Sequence, residues 1–111
     1  MNVTLAEQEL GKADLPARIM IDCAHANSSK NHELQPLVAL NIADQIVAGN
    51  TSIIGMMLES HLFPGNQSMS GQPGDLKYGV SITDPCVDWE TTEKTLLEIH
   101  EKILPALDRR Q

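Results

Sequence analysis

The stretch Arg18-Ile-Met-Ile-Asp-Cys-Ala24 is a short, nearly continuous apolar run, and the polar segment His-Ala-Asn-Ser-Ser-Lys-Asn follows it at once. A run of this kind is typical of a β-strand that is buried on both faces, as in a parallel sheet. A second run, Ser52-Ile-Ile-Gly-Met-Met-Leu58, ends in the polar triplet Glu59-Ser60-His61. The sequence therefore predicts two buried strands, over about residues 18–24 and 52–58, and it places the methionines of both runs in the core: Met20, Met56 and Met57.

Helical segments flank and separate the two predicted strands. Thr4 and Glu7 fit a capping box at the start of a first helix. Apolar residues at helical spacing predict a second helix and a third one, which can begin at Asp88 or Thr91. The predicted helices cover about residues 4–13, 32–48 and 91–107, and one face of the last is expected to be buried: Leu96, Ile99, His100, Ile103, Leu104 and Leu107.

The order helix, strand, helix, strand, loop, helix indicates an α/β fold in which the strands are parallel. The loop, about residues 62–88, is rich in Gly, Pro, Ser, Asn and Asp, and loops of this length are often functional. Two such units cannot close a barrel, since a full eightfold βα barrel takes about 250 residues. The 111 residues are therefore interpreted as a single segment of a larger α/β architecture.

Composition excludes some partners. The formal net charge of −7 disfavours binding to nucleic acid and to anionic membranes. No apolar run approaches the roughly 20 residues that a membrane span needs. The first residues do not resemble a signal peptide, so a cytoplasmic location and reduced thiols at Cys23 and Cys86 are expected.

Titratable residues follow both predicted strands directly. His25 comes after the first strand and Glu59 after the second, and the loop adds Asp84 within Ser81-Ile-Thr-Asp84-Pro-Cys86. Adjacent parallel strands lie about 5 Å apart, so His25 and Glu59 are expected at the same mouth, as metal ligands or as an acid–base pair. A structural alternative stays open for each: a hydrogen-bonded loop histidine, a solvated glutamate and an aspartate that starts a turn.

The remaining candidates have weaker signals. Cys23 lies two residues before His25, so in a strand both would lie on the same face, but a buried structural thiol is the favoured interpretation of Cys23. His61 lies two residues after Glu59 and could support a site there. His32 is expected to be exposed at a helix start, and His100 to be packed in the core.

Three blocks resemble segments of the class I 3-deoxy-D-arabino-heptulosonate 7-phosphate (DAHP) synthases. They are IMIDCAHANSSK at Ile19–Lys30, IGMMLESHLFPGNQS at Ile54–Ser68 and YGVSITDPCVDWE at Tyr78–Glu90. The blocks come in the family's order at nearly its spacing. The resemblance implies the last two strands, the flanking helices and the C-terminus of a TIM (β/α)8 barrel. It also implies metal-dependent, aldol-type condensation of phosphoenolpyruvate with erythrose 4-phosphate, in the shikimate pathway of aromatic amino-acid biosynthesis.

By the same resemblance, His25, Glu59 and Asp84 match three of the family's four metal ligands. One imidazole and two carboxylates suit manganese, iron or zinc. His25 and Asp84 are the implied catalytic residues, with Asp84 also a candidate for proton transfer. The family's fourth ligand, a cysteine on the first strand, and its phosphate-clamping basic residues have no counterpart here, and Lys30 is at most peripheral.

The missing substrate clamp leads to the expectation that the chain alone is inactive. Two parallel strands without neighbours leave open edges, so a homo-oligomer or association with the missing barrel portion is expected. Two alternatives stay open. One is a non-catalytic metal-binding or assembly fragment of a split or truncated synthase, and the other is an unrelated small α/β binding domain.

Overall fold

The computed structural model describes residues 2–110, in which three α-helices and two strands alternate. Short 3-10 turns lie between them, at His25–Ser28, His32–Leu34 and Pro73–Asp75. Both strands are shorter than the predicted ranges 18–24 and 52–58. We number the elements α1 (Val3–Lys12), β1 (Ile19–Asp22), α2 (Gln35–Val47), β2 (Ile53–Met57) and α3 (Trp89–Asp108).

Helix α1 begins earlier than its sequence signal. The side chain of Asn2 accepts a hydrogen bond of 2.9 Å from the backbone N–H of Leu5 and so caps the helix. Asparagine is at least as good an N-cap as threonine. The predicted N-cap, Thr4, is wrong, because this residue already lies inside the helix.

Strands β1 and β2 pair in parallel, with a register shift between Ile19 and Met20. One face of this sheet packs against the helices and contributes Ile21 and Ile53 to the core. The other face is open among the described residues, with Met20 67% and Ile54 62% exposed. The predicted burial of both faces is therefore wrong, and so is the core position of Met20, because the helices of residues 2–110 cover one side only.

The core forms where α2 and α3 pack together beside the sheet. Helix α3 begins at Asp88, whose carboxylate accepts a 2.8 Å hydrogen bond from the N–H of Thr91, one of the two starts predicted. The predicted buried face is confirmed at Ile99, and Ile103 and Leu107 are partly buried, whereas His100, predicted in the core, is exposed. Leu96 and Leu104 lie outward, 43% and 44% exposed, and the residues that α3 buries are Thr92, Thr95, Ile99 and Ala106.

The N-terminal end of the sheet is closed by side chains that bond to backbone. The Asn50 side-chain oxygen accepts hydrogen bonds from the N–H groups of Ser52 and Ile53, each at 2.9 Å. From the last turn of the chain, the Arg110 guanidinium donates to the carbonyls of Ile53 at 2.9 Å and Asn50 at 2.8 Å. These bonds fasten the segment after α3 to the start of β2.

The loop between β2 and α3 lacks long regular elements but is tied together. Isolated bridges join Ser60 to Val87 and Gly65 to Cys86. The Gln67 side chain donates to the carbonyls of Lys77 at 2.9 Å and Val80 at 3.0 Å. Among residues 2–110 no helix is both long and apolar enough to cross a membrane.

Candidate metal site

The structure brings the three predicted ligands together at the C-terminal end of the sheet. His25 follows β1, Glu59 lies two residues after β2, and Asp84 comes from the long loop. The Nε2 atom of His25 lies 3.1 Å from Oε1 of Glu59 and 3.0 Å from Oδ2 of Asp84. One ligand atom from each residue falls within 4.8 Å of the other two. Parallel pairing explains the meeting of His25 and Glu59, because both strands end at the same edge.

Asp22, the last residue of β1, orients the histidine. Its Oδ2 lies 2.9 Å from Nδ1 of His25, and its Oδ1 accepts from the N–H of Ala24 at 2.8 Å. In the neutral tautomer whose Nδ1–H donates to Asp22, the lone pair of Nε2 is available to a cation held between His25, Glu59 and Asp84. Ligating histidines are held by carboxylates in this way in many metal sites.

The backbone at His25 is in a rare conformation. Its φ of 50° lies in the left-handed region, and those of Ser29 (53°) and Lys30 (60°) do as well. Such non-glycine residues cost roughly 1–3 kcal/mol each and persist only where the surroundings impose them. Here the carbonyl of His25 accepts from the N–H of Lys30, and Asn27 donates to the carbonyl of Asp22. The turn therefore aims the imidazole across the end of the sheet.

The electrostatics of the cluster favour a cation. Hydrogen bonds from His25 to Asp22 and then to Asp84 raise the pKa of the imidazole above its ordinary value. Partial burial raises the pKa of Glu59, with His25 acting in the opposite direction. Glu59 is 20% exposed and Asp84 61% exposed. The carboxylates of Glu59 and Asp84 have oxygens within 4.8 Å of each other, and carboxylates at this distance repel unless a positive charge lies between them.

The donor set fits a divalent cation. One imidazole nitrogen and two carboxylate oxygens converge from separate segments, and the histidine has the carboxylate support that ligating histidines require. The site adjoins a cavity of about 150 Å³ whose walls are Ala24, His25, Ser28, Lys30, His32, Gln35, Glu59, Asp84 and Pro85.

The other candidates lie apart from this cluster or beside it. His32, expected to be exposed, is half-buried and lines the cavity with Lys30. His61 is exposed, and its Nδ1 accepts from the N–H of Leu62 at 2.8 Å. Cys23 is fully buried in the core, where burial and then the charge of Asp22 raise its pKa to about 11, as suits a structural thiol. Cys86 is also a free, buried thiol.

Asp22 and Gln35 were not singled out from the sequence. Asp22 carried a usable signal, since it is a carboxylate inside an otherwise apolar strand, three residues before a candidate ligand. Gln35 carried none, because a glutamine at a helix start is ordinarily read as a surface residue. Asn66, which donates to the carbonyl of Thr83 at 2.9 Å and steadies the segment bearing Asp84, was likewise not singled out.

Comparison with known proteins gives one family. The model of the DAHP synthetase I family matches residues 2–97. The tyrosine-inhibited phospho-2-dehydro-3-deoxyheptonate aldolase of Schizosaccharomyces pombe is 51% identical over 105 residues, which are 92% of this chain and 28% of that protein. The Tyr-sensitive enzyme of the same name from Enterobacter agglomerans is 48% identical over 109 residues, or 98% of this chain and 51% of that protein.

A solved structure is also similar. It is that of phospho-2-dehydro-3-deoxyheptonate aldolase from Francisella tularensis SCHU S4, which is 42% identical, with a TM-score of 0.84 over 92% of this chain. The match covers 29% of that structure. The chain thus spans between 28% and 51% of the length of these three relatives.

Proposed function

The chain belongs to the DAHP synthetase I family, and we propose that it supplies the last two βα units of a (β/α)8 barrel with 3-deoxy-7-phosphoheptulonate synthase activity. The reaction would join phosphoenolpyruvate to erythrose 4-phosphate and release phosphate, in the cytoplasm. The observation that carries the proposal is the meeting of His25, Glu59 and Asp84 within 4.8 Å at the C-terminal end of parallel strands. Active sites of such barrels lie at this end.

We propose manganese, iron or zinc as the ion that His25, Glu59 and Asp84 hold. When bound, a divalent cation supplies Lewis-acid polarisation of an aldehyde carbonyl. The protein's own groups provide the rest. Asp22 keeps Nε2 of His25 aimed at the site, and Glu59 contributes the less exposed of the two carboxylate ligands. Asp84, 61% exposed, is the carboxylate best placed to exchange a proton with a bound substrate.

The substrates' phosphates need basic partners that the cluster does not contain. Apart from the proposed ligand His25, the basic side chains that line the cavity are those of Lys30 and His32. We therefore propose that the 111-residue chain alone is inactive as a synthase. A colorimetric assay of heptulosonate phosphate with the purified chain and manganese tests this, and product formation above a metal-free control would contradict it.

Manganese titration by calorimetry tests the metal site directly. We expect binding by the wild-type chain and at least tenfold weaker binding by Glu59→Ala. Substituting even an outer-sphere group of a metal site typically lowers metal affinity at least about tenfold, and Glu59 is a proposed ligand. Glu98→Ala, an exposed position on α3, is the matched control and should bind as the wild type. Equal affinity in all three chains would exclude Glu59 as a ligand.

A second candidate function is a non-catalytic assembly fragment. The open apolar face of the sheet, with Met20 and Ile54 exposed, supports association either with a second copy or with the remaining part of a barrel. Size-exclusion chromatography with light scattering of the isolated chain tests for association with a second copy. A monodisperse monomer at all concentrations would count against self-association.

A further inference from the structure

The side chain of Gln35 is the most completely enclosed polar group beside the candidate metal site. It is 0% exposed, although glutamine is a residue type that is mostly found on protein surfaces. It is the first residue of α2, directly before Pro36, which suits the first turn of a helix. The 3-10 turn His32–Leu34 leads from the His25 turn into this position.

Both ends of the Gln35 amide bond to the backbone of one residue, Glu59. Its Oε1 accepts from the N–H of Glu59 at 2.8 Å, and its Nε2 donates to the carbonyl of Glu59 at 3.2 Å. The same carbonyl also accepts from the N–H of Val87 at 3.0 Å. Gln35 thus pairs with Glu59 as a neighbouring strand would, although 24 residues separate them.

This pairing occurs where the sheet has ended. β2 stops at Met57, whose carbonyl accepts from Cys23 at 2.8 Å. Two residues further on, Glu59 has left the ladder with β1, so its backbone needs another partner if its carboxylate is to stay beside Nε2 of His25.

We propose that Gln35 is a positioning residue, which sets the location of the Glu59 carboxylate by holding both backbone polar groups of that residue. The inference rests on the proposed metal site. It assigns to the start of α2 a role in metal affinity, transmitted through the Glu59 backbone with no contact between Gln35 and the ion. A purely structural buried amide would affect stability without affecting the metal.

The test compares two substitutions that remove amide-to-backbone bonds at opposite ends of the sheet. Gln35→Met keeps the length of the side chain but removes both of its hydrogen bonds to Glu59. Asn50→Ala removes hydrogen bonds to Ser52 and Ile53 at the opposite end of the sheet from the ligands. Manganese affinity is measured by calorimetry, and the electron paramagnetic resonance spectrum of the bound ion reports its coordination. Thermal unfolding without metal is measured in parallel.

Gln35→Met is expected to weaken manganese binding roughly ten- to a hundredfold and to alter the spectrum, as loss of outer-sphere support does in other metal proteins. Asn50→Ala should lower the melting temperature and leave affinity within about twofold, because non-contacting distant sites act independently. Unchanged affinity in Gln35→Met, or an equal loss in both variants, would overturn the inference while the metal site stands. Absence of manganese binding by the wild-type chain would instead overturn the proposed metal site, and this inference with it.

Hydrogen exchange in the wild-type, metal-free chain gives a second measurement that does not depend on any variant folding. The amide of Glu59 lies outside both strands, yet it should exchange slowly because it donates to a fully buried oxygen. Exchange as fast as that of exposed loop amides would overturn the inference.

Discussion

The two ends of the small parallel sheet are built from different chemistry. At the C-terminal end, ionisable side chains face one another, and the backbone of His25 is left-handed. At the N-terminal end, Asn50 and Arg110 bond mainly to backbone groups, and the Asn50 side chain also accepts from the hydroxyl of Ser52 at 3.1 Å. One end gathers the groups that could hold a cation, and the other end holds the elements together. The comparison predicts that substitutions at the two ends affect separate properties.

The largest expected effect is the loss of metal binding in His25→Gly. Glycine removes the imidazole ligand and also fits a φ of 50°, so it relieves backbone strain. Loss of an outer-sphere group typically weakens metal binding about ten- to a hundredfold, and loss of a ligand should weaken it more. We therefore expect manganese affinity to fall by at least about a hundredfold. Calorimetry measures the affinity. His100→Gly, at an exposed helical position, should bind as the wild type, and retained binding in His25→Gly would exclude His25 as a ligand.

At the opposite end, Arg110→Ala should reduce stability and leave metal affinity unchanged. The variant loses two hydrogen bonds from a charged donor, of which the one to Ile53 is partly buried and the one to Asn50 is exposed. A hydrogen bond to a charged group contributes roughly 1.5–3 kcal/mol, and exposure to solvent lowers this contribution. We expect a free energy of unfolding lower by about 1–3 kcal/mol in urea titrations. Arg109→Ala is the control, because no side-chain hydrogen bond of Arg109 is found in residues 2–110 and its effect should stay within about 0.5 kcal/mol.

The pH dependence of manganese binding separates the two ends further. Binding needs the unprotonated Nε2 of His25, and contacts with Asp22 and Asp84 raise the pKa of this imidazole. Affinity should therefore fall as pH falls through that raised pKa, starting above the ordinary histidine value of about 6.5, and binding should release a proton. Calorimetry in buffers of different ionisation enthalpy counts the proton. A flat profile between about pH 8 and 6 would contradict the role of His25.

The smallest effect is expected on the open face of the sheet. Met20→Thr should change the unfolding free energy of the monomeric chain by no more than about 0.5 kcal/mol, because the side chain is already 67% exposed. Ile21→Ala, one residue away on the buried face, should cost roughly 2–4 kcal/mol. Urea titration at low protein concentration measures both. A large loss in Met20→Thr would mean that this face is covered in solution.

Much of the site was predictable because its residues follow strand-like runs directly. A parallel pair brings the ends of both strands to one edge, so His25 and Glu59 could be placed together from the sequence. Asp84 was a candidate from its loop, but its role as a ligand depended on the resemblance to a family, because a residue in a loop of this length has no position that periodicity can predict. Its place near His25 is observed in the structure, where bridges and the amides of Asn66 and Gln67 tie the loop down.

The errors share a physical origin. Met20 and His100 were assigned to the core from local pattern, but burial depends on which neighbours exist in space. An apolar run predicts a strand without saying how many of its faces are covered. A broad apolar arc on a helix does not by itself specify which residues are buried, and in α3 the buried residues are Thr92, Thr95, Ile99 and Ala106.

From the sequence alone came the alternation of helices and strands, the end of the sheet where chemistry lies and the types of the candidate ligands. These follow from properties of adjacent residues: hydrophobic periodicity, the parallel geometry and the preference of cations for imidazole and carboxylate. The tertiary structure alone decided that Asp22 supports His25, that Gln35 holds Glu59 and that the helices within residues 2–110 cover one face of the sheet. Such contacts depend on distances between segments far apart in the chain, which local preferences do not specify.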